Sequence, residues 1–255
     1  MQAPKYIADA KVEGAPIDFP WRGALAHIGP TETVNKMFDL VSSKTTCAVL
    51  TEAAGIIGWG AWRLKGRTDV RVLLQMVEAS FAFQVHPAYV DPNGADTYEA
   101  RDRPPAKSAA AQLQIFLWRA INVRWWNSYY QPIPAAFHSA YLVKHILPAA
   151  KQRTFATWLA RLAKRLDDIA PKPRELPVED EDRMKKPRRE AYWARHRGVA
   201  LPPEVLDVST EFDPARREEL VDRFLRSVRW QDNPFLRSPT QMKKLGFRGK
   251  PYRLG

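Results

Sequence analysis

Thr46-Cys47-Ala48-Val49-Leu50-Thr51-Glu52-Ala53-Ala54-Gly55-Ile56-Ile57-Gly58-Trp59-Gly60-Ala61-Trp62 is almost wholly apolar or small, with one acid at its middle. A helix that crosses a bilayer needs about 20 apolar residues, so this stretch is short and also carries Glu52. The reading that fits it better is a buried helix of a bundle, in which the glycines let neighbouring helices come close. The competing reading is a short membrane span or surface-inserted segment, flanked by Lys44 on one side and Arg63, Lys65 and Arg67 on the other, with Trp59 and Trp62 at the boundary.

Downstream, the basic turn 63–68 contains Gly66, and a second apolar stretch runs from Val70 to Phe83, so residues 46–85 read as a helical hairpin. Upstream, Val34, Met37, Phe38 and Val41 fall on one helical face, with Thr31 or Thr33 as the cap. Residues 85–105 read as a loop because Pro87, Pro92-Asn93-Gly94 and Pro104-Pro105 break regular structure. Lys107 to Tyr130 reads as a helix with Leu113, Phe116, Leu117, Ala120 and Ile121 in register, and Ala135 to Ile146 as another. Phe155, Leu159, Leu162, Leu166 and Ile169 form an apolar stripe opposite Lys151, Arg153, Arg161, Lys164 and Arg165, which makes a basic amphipathic helix.

These elements predict an all-α protein: an irregular helical bundle with long extended N- and C-terminal arms. The expected organisation is an N-terminal arm over 1–30, a helical body over 31–170, and a Pro- and charge-rich linker over 171–212. A single helix follows over 213–230, with Asp213 as cap and Pro214 at its first position, and then a basic arm over 231–255.

The 255 residues carry a net charge of +12 and are 45% hydrophobic, which allows a real core and points to anionic partners. A single cysteine, Cys47, excludes a disulfide framework and a four-cysteine zinc site. The N-terminal residues form neither a signal-peptide apolar core nor an acid-poor transit peptide, so no cleavable targeting segment is visible. His27, His86, His138, His145 and His196 lack ligand-like spacing; the seven-residue interval between His138 and His145 offers a shared helical face but no third ligand. The glycine-rich run Gly55 to Gly60 lacks the Lys-Ser/Thr of a phosphate loop. The consecutive acids Glu179 to Asp182 are not the separated pair that acid–base catalysis requires. The chain is therefore expected to be noncatalytic and to need no cofactor or metal.

Two further segments suggest partners. Trp118, Arg119, Arg124, Trp125, Trp126, Tyr129 and Tyr130 combine rings and guanidinium groups, a mixture found in cores and subunit interfaces, at bilayer surfaces and in nucleic-acid sites. From Asn233 to Gly255 there are six Lys or Arg and no acid, yet Phe235, Phe247 and Tyr252 are spaced among cations such as Arg248. Apolar anchors in a basic arm suit docking into grooves on neighbouring proteins. The expectation is an accessory subunit of a multisubunit assembly that contacts other subunits and anionic lipid. The narrower expectation is a membrane-bound energy-transducing complex, a respiratory complex or ATP synthase, at the mitochondrial inner membrane. The alternative is a basic RNA-binding protein, such as a ribosomal protein.

Overall fold

Helix α3, Thr46–Leu64, is buried along its whole length, and the other helices are arranged around it. A computed structural model describes residues 3–23, 36–91, 105–121, 132–174 and 185–254. Within these the chain is all-α, with no strand or sheet. The elements before α3 are α1 (Lys5–Ala8) and α2 (Lys36–Ser42). Those after it are α4 (Arg71–Val85), α5 (Pro105–Ala120), α6 (Pro132–Ile146), α7 (Ala149–Ile169), α8 (Lys186–Arg197), α9 (Arg217–Ser227) and α10 (Pro239–Lys244). The expected cap of the second helix at Thr31 or Thr33 lies outside the described residues.

The small residues of α3 are what allow it to be surrounded. A Cβ added at Gly60 would run into Leu113 of α5 and Val143 of α6, and one added at Gly55 would meet Leu206 and the ring of Trp158. Trp59 sits between Phe155 and Trp158 of α7, with ring centroids 5.5 and 5.6 Å away. Burying a side chain of this size contributes about 1.5–3 kcal/mol, and each favourable ring pair adds about 0.5–1.5 kcal/mol. The link from α3 to α4 turns at Gly66, where φ is +80°, and the two helices pack together as the expected hairpin. No helix among the described residues is long and apolar enough to cross a membrane.

Several buried polar groups tie segments of the body to one another. Gln84 of α4 donates from Nε2 to Thr51 Oγ1 of α3 at 3.0 Å and accepts from Leu201 N–H at 3.0 Å. That bond holds the segment after Gly198 against the core, where Leu201, Val205 and Leu206 are buried although Val199 and Glu204 are exposed. Trp158 Nε1 donates to Leu206 O at 3.0 Å, and Arg165 reaches the carbonyls of Val205, Asp207 and Thr210. Residues 171–212 therefore do not behave as a free linker where they are described. Lys172 N–H donates to Ser43 O, α8 lies within the segment, and three aliphatic side chains outweigh its prolines and charges. The expected start of α9 at Asp213 and Pro214 is instead a short 3-10 turn, Pro214–Arg216, in which Asp213 accepts from Ala215 N–H at 2.9 Å, and the α-helix follows from Arg217.

The N-terminal arm is likewise part of the body. Tyr6 stacks on Trp158 with ring centroids 5.4 Å apart and planes 4° apart, and Ile7, Val12 and Phe19 are buried. Extended ends normally stay mobile because they bury too little surface to offset their ordering entropy. Here the apolar anchors, together with Arg63 of α3 and Lys65 and Arg67 just beyond its end, supply what is needed.

Candidate functional site: a cationic C-terminal module

The C-terminal segment is secured from Asn233 onward. The Asn233 side chain donates to Gln75 O and to Glu78 Oε2 at 2.8 and 2.9 Å and accepts from Phe235 N–H. Phe235 is 1% exposed, and its carbonyl accepts from Asp91 N–H while Arg237 N–H donates to Tyr89 O, both at 2.9 Å. Ser238 and Gln241 form a capping box that starts α10, with Pro239 at its first position, and Met242 anchors the helix from below. Gly246, at φ +81°, reverses the chain after α10 and brings Phe247 back onto His86 and Tyr89, ring centroids 4.9 and 5.5 Å away.

Tyr89 organises the end of the chain. Tyr252 packs edge-on against it at 5.0 Å, donates its N–H to the Tyr89 hydroxyl at 3.1 Å, and donates its own hydroxyl to Arg237 O at 2.7 Å. Burial pushes both phenols above their ordinary range, so they remain neutral donors. Leu254 N–H donates to Asp222 of α9 at 2.9 Å, and this bond is the main reason the Asp222 carboxyl is held below its usual range.

The apolar side of this segment is thus used on the chain's own body, against the expectation that Phe235, Phe247 and Tyr252 reach into neighbouring proteins. Phe235 and Tyr252 are buried and Phe247 is half-buried. The side facing outward is cationic. Lys243, Lys244, Arg248 and Lys250 are exposed and have no carboxylate partner among the described residues, whereas Arg237 pairs with Asp91 at 3.8 Å. They rim or adjoin an open groove of about 780 Å³ lined by Pro239, Thr240, Lys243, Gly246, Phe247, Arg248, Gly249 and Pro251. The signals that identify this module sit far apart in sequence: Tyr89 and His86 fall in a stretch read as a loop, and Asp222 in a helix read as isolated.

The remaining residues expected at surfaces are placed differently. Trp59 and Trp62 are 0% and 2% exposed and Arg63 is 0% exposed, so none faces lipid. Arg63 donates to Ile146 O at 2.8 Å and to Ala15 O at 2.7 Å, also reaches Pro16 O, and lies 3.7 Å from Asp18. Lys65 covers the Trp62 ring at 4.1 Å and pairs with Glu13 at 3.1 Å, and Arg67 reaches Gly14 O. The basic flank of α3 therefore fastens the N-terminal arm. Trp118 is half-buried and Arg119 exposed at the end of α5. Arg124, Trp125, Trp126, Tyr129 and Tyr130 lie outside the described residues, as do His27 and the acidic run from Glu179 to Asp182.

No group of three or more His, Cys, Asp or Glu side chains that could hold a metal ion occurs among the described residues. His138 stacks on Phe116 and burial lowers its pKa, whereas His145 Nε2 bonds Pro20 O at 2.8 Å. The Cys47 thiol is buried and pushed up to about 12 by desolvation, which leaves it unreactive. The closest charged pair in the core is Lys44 and Glu52, 3.3 Å apart and both 0% exposed, with Asp167 3.8 Å from the Lys44 ammonium. Burial raises the Glu52 carboxyl to about 7 against the opposing pull of Lys44. Comparison with protein-family models, curated proteins and solved structures returned no match.

Proposed function

We propose that this chain is a noncatalytic accessory subunit that attaches to a larger assembly through its C-terminal cationic module. The observation that carries the reading is the two-sidedness of residues 233–254. The apolar anchors are engaged with Tyr89, His86 and the core, and the uncompensated cations Lys243, Lys244, Arg248 and Lys250 are held outward on a built scaffold. A free basic tail would place its charges in many positions, whereas a scaffold limits the entropy lost when a partner binds. The net charge of +12 favours an anionic partner and speeds encounter with it.

The narrower expectation of a membrane-bound energy-transducing complex at the mitochondrial inner membrane rested on the apolar, glycine-rich hairpin with its Arg/Lys flanks and on the Trp/Tyr/Arg-rich segment 118–130. Trp59, Trp62 and Arg63 of the hairpin serve the core and the N-terminal arm, and residues 122–130 lie outside the described residues. The test is gradient sedimentation of the tagged full chain from lysate. Wild type is expected in a high-mass particle at low salt and released by about 0.5 M salt, and a K243Q/K244Q/R248Q/K250Q variant with wild-type circular dichroism is expected to stay at the top. Wild type running as a monomer at low salt refutes the reading.

A further inference from the structure

We infer that the anionic partner of the C-terminal module is the phosphodiester backbone of single-stranded RNA. This rests on the accessory-subunit reading and specifies the chemistry of the same site.

Two features favour phosphate over an acidic protein surface, and a third favours a polyanion in general. Stable protein interfaces are built around an apolar core, and lysine is depleted from them. Here the large apolar side chains Phe235, Met242 and Tyr252 point into the body, and three of the four outward cations are lysines. Lysine binds a phosphate as a point charge without a fixed direction of approach, which suits a backbone whose phosphates recur along a strand.

The groove itself gives the second feature. Its lining includes Gly246, where an added Cβ would meet nothing within 4 Å, so the backbone there is open to a strand, while the Phe247 ring covers Gly249. At about 780 Å³ it has the volume of a small-ligand cleft, and it is open to solvent. The third feature is the absence of acid: from residue 233 to 255 there is no Asp or Glu to repel a polyanion or to occupy the cations.

Binding that neutralises Z phosphates on a single strand falls with salt with a log–log slope of about −0.7Z. Four cations give a slope of about −2.8, so raising salt from about 50 to 200 mM should weaken binding about 50-fold. The experiment is fluorescence anisotropy of the full-length protein with a labelled 30-nucleotide single-stranded RNA across that salt range. Competition by polyglutamate of similar charge, and flotation with phosphatidylserine vesicles, complete it. RNA should bind at least 10-fold tighter than either competitor surface. K243Q/K244Q/R248Q/K250Q should flatten the slope and weaken binding at least 20-fold at low salt, while R188Q/R189Q on α8 should change it less than 2-fold. Both variants are checked by thermal melting. Equal or tighter binding to polyglutamate or to vesicles overturns the RNA assignment and leaves the accessory-subunit reading standing. So does a loss in R188Q/R189Q as large as in the quadruple variant. No binding to any of the three polyanions overturns both.

Discussion

Replacing Glu52 by Gln should make the protein relatively more stable as pH rises. Glu52 is fully buried in α3 beside Lys44, and its carboxyl titrates near 7 in the fold against 4.5 for the free group. Between those values the folded protein holds a proton that the unfolded chain has released, so this group makes stability fall as pH rises. At pH 5 the folded carboxyl is neutral and the unfolded one largely ionised; by pH 7.5 most of the shift is expressed. At about 1.36 kcal/mol per pKa unit, wild type loses roughly 2 to 3 kcal/mol from this group between pH 5 and pH 7.5. Glu52→Gln mimics the neutral acid in shape and lacks the loss. His86 and His138, whose pKa values burial lowers, act with the opposite sign, because the unfolded chain protonates them first as pH falls. They are present in both proteins and cancel in the comparison. The assay is urea denaturation of both proteins at pH 5, 6, 7 and 7.5. The difference in unfolding free energy, variant minus wild type, should climb by roughly 2 to 3 kcal/mol over that range. Had the pair been ionised throughout, removing one partner would cost about 3–5 kcal/mol at every pH, because it would leave the buried Lys44 with only the more distant, partly exposed Asp167 carboxylate. A deficit of that size with no pH slope would refute the account of Glu52.

Arg63→Lys should free the N-terminal arm, because a single ammonium cannot span the carbonyls of Ile146, Ala15 and Pro16; limited proteolysis within residues 11–20 should quicken at least 5-fold, and an unchanged rate would argue that Phe19 and Tyr6 suffice. Gly198→Ala should cost more than Gly66→Ala although both sites have positive φ. The added Cβ at 198 comes within 2.5 Å of the Thr45 side chain while that at 66 meets nothing within 4 Å. Losses of about 2–4 and about 1 kcal/mol in denaturation are expected, and equal losses would refute the packing argument. Tyr252→Phe removes the hydrogen bond to Arg237 O but keeps the ring on Tyr89, so it should lower stability by about 1 kcal/mol and accelerate amide exchange in residues 247–254 specifically.

Periodicity made most of the helices legible. The stripe Phe155, Leu159, Leu162 and Leu166 faces the core as read, and the glycine-rich run of α3 is a close-packing segment. Boundaries moved by a few residues where a proline opens the helix, as at Pro105 and Pro132. The misread segments share a cause. In 171–212 and in 233–254 the apolar residues are sparse and aperiodic, so local pattern reads them as linker or arm, and their burial depends on groups far along the chain. Leu201 is drawn in by Gln84, 117 residues away, and Tyr252 by Tyr89, 163 residues away.

The sequence by itself determined the helical class, because a 3.6-residue apolar period and small residues in α3 leave few other ways to bury that surface. It also determined the charge of the C-terminal segment and its lack of acid. Only the tertiary structure decided which side of that segment is spent on the fold. Tyr89, His86 and Asp222 supply a ready-made seat for its rings and amides, and a seat formed by long-range packing has no local pattern to announce it. The same holds for Arg63 and Trp59. Their composition is equally suited to lipid, protein or core, and the choice is made by the arm and the α7 rings that close over them.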